Sequence, residues 1–173
     1  MSFARFQLAV AAFCVLVSSA ACVPEAQGEV GLAMSDVALY GAYVHPLFEG
    51  SCASLDCHGD PGRPLRLYAE TGLRIRDDLR TPPGAALTAI TEEELAANVS
   101  SIAAVDADAY DVDERFVLLK PLSDIGGGIH HFGGRIWAGP NDVAYRCVRS
   151  WLVNAIDDAA CVEAAARDAL PPP

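Results

Sequence analysis

Basic residues are scarce in this chain. It carries 12 lysines and arginines against 23 aspartates and glutamates, and a formal charge of −11. Lys120 is its one lysine. Clustered cations for phosphate binding are lacking, which argues against nucleic acid or an anionic membrane surface as partner. Methionine is scarcer still, with only Met1 and Met34. There is no internal repeat. No apolar run is long enough to cross a bilayer as a stable anchor. No acid–base pair or activated nucleophile stands out, so the reading is of a protein that is not an enzyme.

The longest apolar run, Phe6 to Val17, follows one early cation, Arg5, and ends in Ser18-Ser19-Ala20-Ala21 before Cys22. This is the pattern of an export signal over residues 1–21. The small residues before Cys22 resemble a bacterial lipoprotein box, whose cysteine receives lipid and becomes the mature N-terminus. An ordinary cut near Ala21, leaving Cys22 as a thiol, is the simpler alternative. The expected location is the periplasm or outer surface, with a lipid anchor as the only membrane attachment. Losing Arg5 with the leader takes the charge from −11 to −12. Residues 22–35, with Pro24, Gly28 and Gly31 and no periodicity, read as a flexible tether. Residues 36–166 read as one domain, and 167–173 as a disordered tail.

Cys52-Ala53-Ser54-Leu55-Asp56-Cys57-His58 is the most chemically specific stretch. Two cysteines run directly into a histidine. Two thiols can add across the vinyl groups of a haem while the following imidazole reaches its iron. The familiar spacing leaves two residues between the cysteines, and here there are four. A local disulfide between Cys52 and Cys57, with His58 a bystander, also fits so short a loop. A third option is zinc held by Cys52, Cys57, His58 and a distant histidine. Cys14 leaves with the leader and Cys22 takes lipid, so Cys147 and Cys161 remain. The first lies on a predicted helix and the second just past its end. A disulfide between them would staple the C-terminal segment to that helix.

A haem iron needs a second axial ligand. Met34 sits in the tether, a poor place for one. His130 and His131 are better candidates, in the loop Gly126-Gly127-Gly128-Ile129-His130-His131-Phe132-Gly133-Gly134. Glycines there let backbone approach a flat cofactor. His45 is the weaker third choice.

Helical spacing of Val37, Tyr40, Val44, Leu47 and Phe48 predicts a first helix, with Ser35 as N-cap and a break at Pro46. Pro64 demotes Arg63 to Tyr68 to an edge or extended segment. Thr91 and Glu94 form a capping box for a helix to about Val105, lined by Leu95, Val99 and Ile102. The sequon Asn98-Val99-Ser100 falls inside that helix. Arg115 to Lys120 is a short apolar segment, helical or extended. Asn141 is read as the cap of a later helix with the buried stripe Tyr145, Val148, Trp151, Leu152 and Ala155. Ala159 to Arg167 adds a short helix. The acidic run Asp106, Asp108, Asp111, Asp113 and Glu114 reads as a solvated loop, or as a surface steering a basic redox partner.

Taken in order, several segments resemble cytochrome c-like domains of the planctomycete type. They are Val44-His45-Pro46-Leu47-Phe48, the cysteine–histidine loop, Gly59 with Arg63 to Leu67, and Asn98-Val99. Leu118 to Leu122, Gly127-Gly128-Ile129-His130, Gly133-Gly134 and Tyr145 to Leu152 follow. The resemblance covers about Val37 to Ala155. It implies an all-α, cytochrome c-like domain with long irregular loops. It further implies thioether links from Cys52 and Cys57 to a covalent haem c, and His58 as proximal ligand. The function expected is that of a lipid-anchored monohaem electron-transfer protein serving a redox partner. The alternative is a haem-free structural or binding lipoprotein, its frame held by Cys52–Cys57 and Cys147–Cys161 disulfides.

Overall fold

The computed structural model describes residues 35–168. The leader, Cys22, Met34 and the last five residues lie outside them. Among the described residues every regular element is helical, and β pairing is limited to two isolated bridges, Tyr68 with Leu73 and Leu122 with Trp137. The all-α expectation therefore holds. No described helix is long and apolar enough to cross a membrane.

The first helix, α1, covers residues 37–51 in three registers: Val37–Leu39, a wide π-turn at Tyr40–Val44, and His45–Ser51. The helices α2 (Glu92–Val105), α3 (Phe116–Leu119), α4 (Val143–Leu152) and α5 (Asp158–Asp168) follow. Single 3₁₀ turns at Asp77–Leu79, Val112–Glu114 and Asp124–Gly126 punctuate the loops.

Several local expectations need correction. Asp36, not Ser35, caps α1, accepting from the Leu39 amide at 2.9 Å. Pro46 does not break the helix. The His45 amide reaches back five residues to the Tyr40 carbonyl. Pro46 then falls in the first turn of the next segment, where a missing N–H costs little. Asp142, not Asn141, caps α4 by accepting from the Ala144 amide. Helix α4 stops at Leu152, so Ala155 is exposed and outside the stripe. Helix α5 runs to Asp168, two residues past the expected end of the domain.

The core forms where α1 meets α4, α5 and α2. Tyr40 and Trp151 are both fully buried, with ring centroids 5.3 Å apart. Trp151 Nε1 donates to the Asp36 carbonyl at 2.9 Å, so the start of α1 is pinned to the end of α4. Val148, Leu152, Leu47, Phe48, Val99 and Leu118 fill the space around them. Side chains of this size contribute roughly 1.5–3 kcal/mol each when fully buried. The expected Cys147–Cys161 disulfide is present, with Cα atoms 4.7 Å apart, and ties α5 to α4.

The long segment between α1 and α2 is held by polar contacts rather than by a strand. Arg74 and Glu94 form an ion pair whose side chains are 1% and 0% exposed. Arg74 also donates to the carbonyls of Leu79, Thr88 and Ala89. Glu94 accepts from Arg74, from the Ile75 amide and from Thr91, completing the predicted capping box. Asn98 is buried and clamps both the amide and the carbonyl of Tyr68. The sequon it belongs to is thus part of the packing.

The acidic run is not simply a solvated loop. Asp106 is buried and accepts the Phe116 amide at 2.6 Å, anchoring the start of α3. Asp113 is held by a two-pronged pair with Arg149 and by the Tyr145 hydroxyl. Asp108, Asp111, Asp113 and Glu114 are nonetheless exposed, and only Asp106 is withdrawn from solvent.

Candidate functional site

The cysteine–histidine loop leaves the end of α1 and folds tightly on itself. The Cys52 amide bonds back to the Phe48 carbonyl, and the His58 amide bonds to the Cys52 carbonyl at 3.0 Å. Gly59 lets this closure happen. A Cβ there would stand 2.4 Å from the Ala53 carbonyl oxygen and 2.8 Å from that of Ser54. Gly72 approaches the same Ala53 oxygen from the other side, at 2.5 Å for a built Cβ. The cysteine–histidine loop is therefore wedged between its own return and the segment that Arg74 anchors. No disulfide joins Cys52 to Cys57.

Cys52, Cys57 and His58 all face one cleft of about 440 Å³. That volume falls within the roughly 300–1,000 Å³ of cofactor and ligand sites. Its walls are mostly apolar, from Phe48, Leu65, Leu67, Val105, Phe116 and Val117. His130 and His131 line it as well. The fold thus brings two thiols and three imidazoles from distant segments to one cleft.

The two histidines of the distal loop are not equivalent. The rings of His58 and His131 lie 6.0 Å apart between centroids and within 12° of parallel. His130 instead packs its ring edge-on against Phe132, at 5.0 Å. His58 Nδ1 sits 3.0 Å from the Leu65 carbonyl, and His131 Nδ1 sits 3.2 Å from the Gly134 carbonyl. A carbonyl only accepts, so Nδ1 is the donor in both rings, and in the neutral form of each ring Nε2 is the nitrogen that keeps a lone pair. A metal-binding histidine is typically oriented in this way, by a bond from its other nitrogen. Two imidazoles sharing one metal through nitrogens about 2 Å away would have centroids on the order of 6 Å apart. An offset ring pair has a similar spacing. The matched hydrogen bonds at Nδ1 are what favour the metal reading. Burial holds the His58 pKa below the ordinary histidine value against the opposing Leu65 bond, with His131 and Arg63 lowering it further. A neutral imidazole is the form that binds metal.

His45 lies away from this cleft, buried in the core against Tyr40 and 3.5 Å from Glu49. The fold does not bring it to the cleft that His58 lines. Among the described residues no three His, Cys, Asp or Glu side chains converge as a protein-only metal site requires. The zinc option therefore has no support in the fold. A haem supplies four nitrogens of its own, and two imidazoles suffice. Met34 and Cys22 lie outside the described residues.

Lys120 is a member of this site that sequence reasoning passed over. Its Nζ donates to the His130 carbonyl at 2.9 Å and lies 5.9 Å from the centre of the Phe116 ring. A lone lysine beside a predicted glycine-rich loop was the available signal.

Compared with known proteins, the chain matches no family model, no curated protein and no solved structure.

Proposed function

We propose that this chain is an exported, lipid-anchored electron-transfer protein that carries one covalent haem c in the cleft between His58 and His131. One observation carries the reading: Cys52, Cys57, His58 and His131 converge on a single apolar cleft, with both Nδ1 atoms held by backbone carbonyls. Cys52 and Cys57 would form the thioether links, and His58 and His131 would be the axial pair. Bound haem would supply the one-electron iron couple. Phe48, Leu67 and Val117 keep water from one wall of the cleft. The Leu65 and Gly134 carbonyls fix the tautomer and the aim of each imidazole. With two imidazoles as the axial pair, the potential is expected below that of a His/Met pair.

The test is an absorption spectrum of full-length protein expressed with haem-attachment machinery. A red protein whose colour survives acid–acetone extraction, with a low-spin spectrum, is expected. His131→Ala should turn the iron high-spin, His130→Ala should leave the spectrum unchanged, and His58→Ala should abolish it. A colourless protein from the same expression would overturn the reading. A low-spin spectrum in His131→Ala would overturn the axial assignment.

A further inference from the structure

The two imidazoles are held very differently. His58 is half-buried and follows Cys57 in a loop wedged against Gly72. Its backbone is bonded on both sides, to the Cys52 carbonyl and from the Leu67 amide. His131 sits on a turn closed only on itself. The Gly134 amide donates to the His131 carbonyl, and the ring bonds back to Gly134. The turn is bracketed by backbone bonds at Ile129, to the Leu119 carbonyl, and at Ile136, to the Pro121 carbonyl. Between those brackets, among the described residues, residues 130–135 have two polar ties to the remainder of the chain. One is the pair of Arg135 with Asp124, both about 60% exposed. Exposed pairs of this kind hold little. The other is the Lys120 Nζ bond to the His130 carbonyl. Gly127 and Gly134, at φ of 95° and 85°, flank the turn in conformations that only glycine adopts easily.

From this asymmetry we infer that His131 is a displaceable ligand latched by Lys120, and that small neutral donors of the carbon monoxide type bind on its side of the site. The inference rests on the haem reading above. In the exchange, His131 Nε2 withdraws its electron pair and leaves as neutral imidazole, while the incoming molecule supplies its own pair. No electron or proton changes hands. The apolar wall of Val105, Phe116 and Val117 favours a neutral molecule over an anion.

The experiment is stopped-flow mixing of the dithionite-reduced, haem-bearing protein with carbon monoxide. Wild type should form an adduct at a rate that saturates with ligand concentration, because His131 must leave first. His131→Ala should lose that saturation. Lys120→Met, which keeps the apolar stem, should raise the limiting rate roughly tenfold, the factor carried by one charge-assisted hydrogen bond of ordinary strength. A low-spin haem protein that forms no adduct overturns the inference while leaving the haem reading intact. Saturation that persists in His131→Ala makes His58 the displaced group, and an unchanged limiting rate in Lys120→Met removes the latch; either refutes it. Protein that carries no haem at all overturns the function and this inference together.

Discussion

Replacing Arg74 by methionine should be the most damaging single change outside the cleft. The substitution keeps most of the volume and removes the charge. It leaves the Glu94 carboxylate buried beside two backbone donors and the Thr91 hydroxyl, with no counter-ion. It also strips a donor from the carbonyls of Leu79, Thr88 and Ala89. Breaking a buried pair by removing one partner costs about 3–5 kcal/mol. Against a total stability of about 5–15 kcal/mol this is a fifth or more. For a domain of this size it lowers Tm by roughly 10–20 °C. Urea unfolding followed by the fluorescence of Trp137 and Trp151, both buried, measures the loss. Arg74→Met/Glu94→Leu should recover most of it, because an apolar pair of similar volume needs no counter-ion. The pH profile adds a second readout. Burial pushes the Glu94 carboxyl up, but the Arg74 bonds and the Thr91 and Ile75 donors outweigh it and bring its pKa down to about 2. A folded value below the unfolded one stabilises above the ordinary carboxylate range, and that stability is lost as pH falls toward 2. Wild type should therefore lose on the order of 3 kcal/mol between about pH 4.5 and pH 2 through this group. Glu94→Gln should flatten that part of the curve. A loss below about 1 kcal/mol in Arg74→Met, or a double variant no better than the single one, would refute the reasoning.

Gly59→Ala should cost roughly 1–3 kcal/mol by driving a methyl into the backbone oxygens of Ala53 and Ser54, and should cut haem loading at His58; urea midpoints and the absorbance ratio of haem to protein check both. Removing the Cys147–Cys161 bridge, with its sequence separation of 14, should cost about 3 kcal/mol in the chain-entropy model. Non-reducing peptide mapping should find that bridge in the native protein, and thiols at both positions would count against the fold. Intact mass of the mature protein should place its N-terminus at Cys22 with diacylglycerol attached, and an unmodified N-terminus there would end the lipoprotein proposal.

The features legible from the chain alone were those that close within a few residues. The Thr91–Glu94 box spans one turn and holds as expected. The stripe of Tyr145, Val148, Trp151 and Leu152 follows from helical periodicity. The Cys147–Cys161 bridge lies across one short connection. Even local rules slipped where two capping acceptors or a proline competed, as at Asp36, Asp142 and Pro46. Tertiary structure alone decided which histidine faces His58, since neighbouring side chains on a glycine-rich turn point apart and their spacing carries no direction. It also decided that Arg74 meets Glu94, that Asp106 is buried, and that Lys120 reaches the His130 carbonyl. Those partners come from segments brought together by packing, and a buried charge is tolerated only where the folded backbone delivers its donors and acceptors.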